Sequence, residues 1–192
     1  GEAFRNTAYY EHFQSLLCCK ELEQLLEQQD YRLVFYPHVE MQKDSRRFKS
    51  GSDRITIVSK ETHDVQELLM DCALLVTDYS SVFFDVAFLR KPVVYYQFDE
   101  EEFRKYHYQK GYFDFRRDGF GPVCTTQEAL LEAMTESFEN GMEMQTEYAQ
   151  RTERFFPLHD GNNCRRTFEA IARLKERNKK HAAESESLSV HL

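Results

Sequence analysis

Apolar residues recur at helical spacing in "YYEHFQSLLCCKELEQLLEQQ", at Phe13, Leu16, Leu17, Leu22, Leu25 and Leu26. That spacing predicts a single amphipathic helix. The pattern then changes. "YRLVFYP" is a short apolar run stopped by Pro37, which reads as a buried strand. The stretch from His38 to Ser52 is polar, basic and aperiodic, hence a loop, and "RITIVS" is a second strand rich in β-branched residues. "DVQELLMDC" predicts a short helix capped by Asp64. "ALLVTD" reads as a third strand, "SVFFDVAFLR" as a helix apolar nearly all round and ended by Pro92, and "VVYYQF" as a fourth strand. Residues 99–121 are charged and aromatic without a sustained period. "PVCT" is a short fifth strand, and "TQEALLEAMTESFEN" a helix with Thr126 as cap and Gly141 as stop. A last helix begins near Asn162 and runs through "RRTFEAIARLKERNKK".

Strands and helices that alternate over short connections imply a parallel sheet covered on both faces by right-handed crossovers. The expected fold is a Rossmann-like, three-layer α/β domain over residues 1–177. Residues 178–192, which end in "HAAESESLSVHL", hold too little apolar surface to pack and are expected to be disordered. In such sheets ligands bind outside the carboxyl ends of the strands. The loops after Tyr36, Ser59 and Thr77 therefore become candidates.

Composition narrows the choice. A chain of 192 residues that is 41% hydrophobic and 14% aromatic builds a real core. No apolar run approaches the roughly 20 residues that span a bilayer. The opening "GEAFRNTAYY" lacks the basic and apolar regions of a signal peptide. Five cysteines form no CxxC pair and no disulfide-like ladder, so they read as reduced thiols of a cytoplasmic protein. The seven histidines have no ligand spacing with a cysteine, so neither a zinc site nor any other metal or cofactor is expected. A net charge of −8 argues against nucleic acid as a partner. Local basic clusters persist within that total: Lys43, Arg46, Arg47 and Lys49; Arg104, Lys105 and Lys110; Arg116 and Arg117.

The richest stretch is "LLVTDYSSVFFDVAFLRKPVVYY", residues 74–96. A strand delivers the chain to Thr77, Asp78, Ser80 and Ser81, and a helix starts at about Ser81. Helix N-termini carry unpaired N–H groups and a partial positive charge, and two serines add hydroxyl donors, so the cluster suits a phosphate. A capped helix start, with Ser80 or Ser81 as N-cap, fits the same residues. Asp85 lies one turn beyond Ser81 on the same face, and a carboxylate in so apolar a helix is costly unless paired or turned to a polar cavity. No Gly-rich loop of the Walker or dinucleotide type is present, which excludes a P-loop.

The stretch "DCALLVTDYSSVFFDVAFLRKPVVYY" resembles the signature of the CDP-glycerol glycerophosphotransferase family, the teichoic-acid polymerases and primases. Further matches follow in order: "KGYFDF" at 110–115, "GFGPVCTTQEAL", and "FFPLHDGNNCRR", with "YRLVFYPHVEM" upstream. Tyr36 stands where the family often has Lys, and Val39 where it often has Pro. The resemblance implies the C-terminal, donor-binding lobe of a two-lobed GT-B architecture, with a catalytic base supplied by an N-terminal lobe that has no counterpart here. It further implies transfer of glycerol phosphate from CDP-glycerol to a lipid-linked polymer acceptor, releasing CMP. The complete enzyme is then expected peripherally on the inner face of the cell membrane.

On that resemblance His38 acts on the donor pyrophosphate and is the catalytic candidate. Ser80 and Ser81 contact phosphate, while Thr77 and Asp78 shape the turn or touch the donor. Asp85 orients a glycerol hydroxyl or a serine. Ser59 and Thr62 are placed by topology for cytosine or ribose. Gly111, Tyr112 and Asp114 match a family motif of structural or functional role, and Asp160 with Gly161 caps the last helix. Transfer of ribitol phosphate or a capsule alditol phosphate is compatible with the same motifs. A nucleotide-binding module without turnover is the alternative from another class, and a sugar-nucleotide transferase or epimerase is disfavoured by the TDYSS cluster.

Overall fold

The computed structural model describes residues 7–106 and 111–189. Lys110, in the second basic cluster and at the start of "KGYFDF", lies outside them. The chain divides into two compact units, Gly1–Arg154 and Phe155–Leu192, a division earlier than the expected boundary at 177.

The first unit opens with two helices where the spacing predicted one: α1 (Ala8–Leu17) and α2 (Lys20–Gln28). Thr7 caps α1 by accepting from the Tyr10 amide at 3.2 Å. The break at Cys18–Cys19 coincides with a contact from a segment distant in sequence. The Leu17 carbonyl accepts from the Gly51 amide at 3.0 Å, which ties the 38–52 segment to the end of α1. A Cβ on Gly51 would lie 3.2 Å from the Cys18 Cα, so the approach favours glycine. The apolar face survives the break, since Phe13, Leu16, Leu17, Leu22 and Leu26 are all buried.

Strand β1 (Leu33–Phe35) pairs in parallel with β2 (Ile55–Ile57), Phe35 opposite Ile57. Strands β3 (Leu75–Thr77), β4 (Val93–Tyr96) and β5 (Val123–Cys124) form a second parallel sheet in that order. The architecture is α/β with two small parallel sheets, rather than the single continuous sheet expected. The strands are only two to four residues long, which limits the ladders. One apolar core nevertheless serves both sheets, because Phe35 and Ile55 pack in the same cluster as Val94 and Tyr96. Tyr95 points the other way along the pleat. It meets an aromatic layer at 5.2 Å from Phe83 and 5.1 Å from Phe115, ring centre to ring centre. That layer accounts for the apolar helix α4 (Val82–Phe88) and for part of "YFDF". Gly121 is obligatory beside it, since a Cβ would fall 1.6 Å from the Val93 carbonyl oxygen.

The remaining elements of this unit divide into expected and unexpected. The Asp64 carboxylate caps α3 (Val65–Asp71), accepting from the Gln66 and Glu67 amides. Thr126 caps α7 (Gln127–Glu139), and Gly141 follows with φ +65°. Helix α4 ends at Phe88, four residues before Pro92, where Arg90 turns left-handed at φ 59°. The aperiodic 99–121 stretch contains α5 (Glu100–Tyr106) and α6 (Phe115–Asp118), and the 38–52 loop contains a 3₁₀ segment, Val39–Arg47. Helix α8 (Thr146–Phe155) was not expected, although Tyr148, Ala149 and Phe155 recur at helical spacing around Thr152, its one buried residue.

In the second unit, α9 runs over Asn163–Ser189. It continues through residues expected to be disordered, because Ala, Glu, Lys and Arg favour helix even without an apolar face. Asp160 does not cap it as expected. Its carboxylate accepts from the Asn162 amide at 3.1 Å and from both Arg166 guanidinium nitrogens at 2.8 and 2.9 Å, pinning the turn at Gly161. The Arg166 hydrogen bond holds the Asp160 carboxyl well below the usual carboxylate range.

Candidate functional site

The TDYSS turn leaves β3 at its carboxyl end. Thr77 is buried as the last strand residue, and Asp78 folds back on the turn. Its Oδ1 accepts from the Tyr79 amide at 2.7 Å and the Ser80 amide at 3.1 Å. Two more tethers fix the turn. The buried Gln97 amide donates to the Asp78 carbonyl at 3.2 Å, and the Tyr79 hydroxyl donates to Asp99 Oδ1 at 3.1 Å. The Tyr79 ring stacks on Phe103 with centres 3.7 Å apart. Burial, then the Asp99 carboxylate, hold the Tyr79 phenol well above its ordinary range.

Ser81 occupies the N-cap position of α4, but its side chain makes no capping bond and its backbone is already helical. The turn is held by Asp78, so the serine hydroxyls are not what starts the helix. Ser80 is half-buried and Ser81 exposed. Asp85 is also exposed, so it carries no burial cost in this otherwise apolar helix. Phe83 and Val86 face inward, and Asp85 takes the solvent side between them.

His38 follows β1 and is exposed, directly after the buried Pro37. It heads the 3₁₀ segment, with Nδ1 accepting from the Glu40 amide at 3.4 Å. In the neutral ring that bond places the proton on Nε2. Tyr9 of α1 feels charge and backbone from both loops. Burial, and next the Asp78 carboxylate, push its phenol well up, while a hydrogen bond with the His38 backbone opposes them. One phenol thus senses both loops.

Ser59 and Thr62 are brought together in a turn that uses their hydroxyls. Thr62 Oγ1 accepts from the Ser59 amide at 3.1 Å and donates to the Ser59 carbonyl at 3.0 Å, while Ser59 Oγ donates to Glu61 at 2.5 Å. A depression of about 310 Å³ opens beside them, lined by Tyr36, Lys60, Thr62, His63 and Val65 among others. A larger one, about 570 Å³, is lined by Glu23, residues 50–53 and strand β2, and by none of the predicted site residues. Buried Gln42 joins the first two loops, donating to the Pro37 carbonyl at 2.5 Å and accepting from the Lys60 amide at 3.0 Å. Asp114 of the "KGYFDF" stretch caps α6 through the Arg116 and Arg117 amides, a structural role, and Tyr112 is 82% exposed. Among the described residues no three His, Cys, Asp or Glu side chains gather to hold a metal ion.

Tyr9, Gln42 and Gln97 were missed by sequence reasoning. Tyr9 sits four residues before Phe13 and reads as core, Gln97 ends an apolar strand, and Gln42 lies in an aperiodic polar run.

These features define a parallel α/β domain whose polar loops gather at the strand carboxyl ends. Residues 3–173 match the sequence model of the CDP-Glycerol:Poly(glycerophosphate) glycerophosphotransferase family, and the chain belongs to that family. It is 29% identical over 171 residues to the minor teichoic acid biosynthesis protein GgaB of Bacillus subtilis strain 168, covering 89% of this chain and 18% of that one. The fold matches the wall teichoic acid polymerase TagF with a TM-score of 0.57 at 23% identity, over 83% of this chain and 38% of TagF. A TagF variant soaked with CDPG matches at a TM-score of 0.55 and 23% identity, over 85% of this chain and 39% of that one. The chain therefore spans well under half the length of these relatives.

Proposed function

We propose that this chain is the donor-binding lobe, Rossmann-like and part of a GT-B architecture, of a CDP-glycerol glycerophosphotransferase that builds teichoic acid or a related cell-wall polymer. The family match over residues 3–173 carries the reading, because it includes both the His38 loop and the TDYSS turn.

In this reading the donor diphosphate lies between His38 and the TDYSS turn. Ser80 and Ser81 donate hydroxyl hydrogen bonds to phosphate oxygens. Asp78, committed to its own backbone, shapes the turn without facing the anion, and Thr77 anchors it. Cytidine lies over the depression beside Tyr36, whose floor Ser59 and Thr62 shape, and exposed Asp85 orients the glycerol. An acceptor hydroxyl attacks the β-phosphate of CDP-glycerol and CMP leaves. His38 Nε2–H neutralises charge on the departing phosphate, so catalysis rests on positioning and electrostatics. The base comes from a second lobe, so this chain alone binds CDP without releasing CMP from CDP-glycerol.

The acceptor is a lipid-linked polymer, and the enzyme sits on the inner membrane face. No helix among the described residues is long and apolar enough to cross a membrane. Helix α9 exposes Phe168, Ile171 and Leu174 along a segment that also carries Arg165, Arg173 and Lys175, a combination suited to an anionic lipid surface. The deciding experiment is a donor screen on the full-length enzyme with CDP-glycerol, CDP-ribitol and UDP-sugars. CMP release from CDP-glycerol is expected; UDP release with no CMP from either CDP-alcohol refutes the reading.

A further inference from the structure

Gln42 is 6% exposed, inside a segment whose composition is otherwise that of a surface loop. A buried side-chain amide is tolerated only where both of its ends are bonded. Here the amide NH₂ donates to the Pro37 carbonyl at 2.5 Å, and the amide oxygen accepts from the Lys60 N–H at 3.0 Å. The opposite orientation would set a donor against the Lys60 N–H and an acceptor against the Pro37 oxygen, so the assignment is fixed by its partners. Those partners are specific in place. Pro37 O is the last backbone acceptor before His38, and Lys60 N is the first donor after Ser59. The Pro37 ring has no N–H, so its carbonyl is that residue's only backbone group to tether.

We infer that Gln42 is a positioning residue. It locks the loop after β1 to the loop after β2 and so fixes His38 relative to the nucleoside end of the donor. This rests on the donor reading above. Both ends of Gln42 are bonded to backbone, so its effect on the diphosphate passes through the placement of His38.

The test uses two variants of this chain, each checked for fold by circular dichroism and melting. Gln42→Met keeps the length but removes both bonds; Gln42→Glu keeps the acceptor for Lys60 and removes the donor to Pro37. Amide hydrogen exchange on the unliganded proteins should show Lys60 exchanging about tenfold or more faster in Gln42→Met and unchanged in Gln42→Glu. Calorimetry with CDP should show both variants binding roughly tenfold more weakly, with cytidine affinity held within about twofold. Combined with His38→Gln, either variant should weaken CDP binding no further than His38→Gln alone, because the residues act as one unit. Should Gln42→Met fail to fold, Gln42→Glu carries the binding and double-variant arms. Unchanged Lys60 exchange in a folded Gln42→Met overturns the tether. Faster exchange with unaltered CDP affinity, or effects additive with His38→Gln, overturns the positioning role. If the unaltered chain binds no CDP, the donor reading falls and takes the positioning role with it, while the exchange result still decides the tether.

Discussion

Replacing Ser80 and Ser81 together by alanine separates a phosphate site from a helix cap. Ser81 makes no capping bond, and the Tyr79 and Ser80 amides are already satisfied by Asp78. The double substitution therefore removes no hydrogen bond that starts the helix, and its effect on stability should stay within roughly 0.5 kcal/mol. Binding is different. Each lost hydrogen bond to a charged phosphate costs roughly 1.5–3 kcal/mol, so CDP should bind about 10- to 150-fold more weakly even if only one hydroxyl reaches it. Cytidine, which has no phosphate, should bind as before. Asp78→Ala is the matching control. It strips the acceptor from two backbone donors, so it should destabilise by roughly 1–2 kcal/mol, as loss of an N-cap does. That is a fall of about 2–8 °C in melting temperature. Calorimetry with CDP and cytidine, paired with melting curves, reads both effects. A Ser80→Ala/Ser81→Ala protein that loses CDP and cytidine equally, or that melts as early as Asp78→Ala, would show the serines to be structural and refute the argument.

Other outcomes follow from geometry elsewhere. Gly121→Ala should abolish folding or cost more than about 4 kcal/mol, because its Cβ would overlap the Val93 carbonyl 1.6 Å away; a near-native melting curve would refute it. Vesicles containing anionic lipid should sediment this chain while zwitterionic ones do not, and Phe168→Ser with Ile171→Ser and Leu174→Ser should abolish the difference without lowering helicity. Burial, and next Glu128, push the Tyr96 phenol up to about 12. Its folded value lies above the ordinary value of about 10, so its contribution to stability is full below that pH and lost as pH rises through the window to about 12. Melting temperature against pH should fall less steeply there for Tyr96→Phe than for the unaltered chain, and parallel curves would refute the assignment.

Much of the fold was legible because its signals are local. The caps at Asp64 and Thr126, the stop at Gly141 and the strand runs each depend on a few adjacent residues, and each appears. What was not legible depends on partners distant in sequence. The split between α1 and α2 comes from Gly51 claiming the Leu17 carbonyl. The exposure of Asp85 was not legible for a related reason: a helix can look apolar nearly all round yet present one side to solvent, and composition does not say which. At the site, the motif stretches drew attention to residues that stand out from their neighbours. Gln42 and Gln97 do not, since a glutamine in a polar run or after a strand is unremarked until the backbone it serves is seen.

The site divides its polar groups by what they bond. Asp78, Gln97, Gln42 and Thr62 spend their hydrogen bonds on backbone of the strand-end loops and so fix geometry before any ligand arrives. Ser81 makes no capping bond, Asp85 lies in solvent, and His38 uses only Nδ1 within its own loop. A diphosphate arriving between these loops would meet donors held in place by the first group and need not reorganise them. That arrangement lowers the reorganisation cost at a charged centre, the main route by which an enzyme without a covalent step accelerates phosphoryl transfer. It also explains why a carboxylate can sit within the TDYSS turn. Asp78 accepts from the Tyr79 and Ser80 amides, so its charge is turned into the backbone, and in the proposed donor complex the side facing the ligand would be left to hydroxyls. If Asp78 instead faced the diphosphate, the turn would lose both acceptors and gain a repulsion, and the two serines would have no fixed position from which to donate.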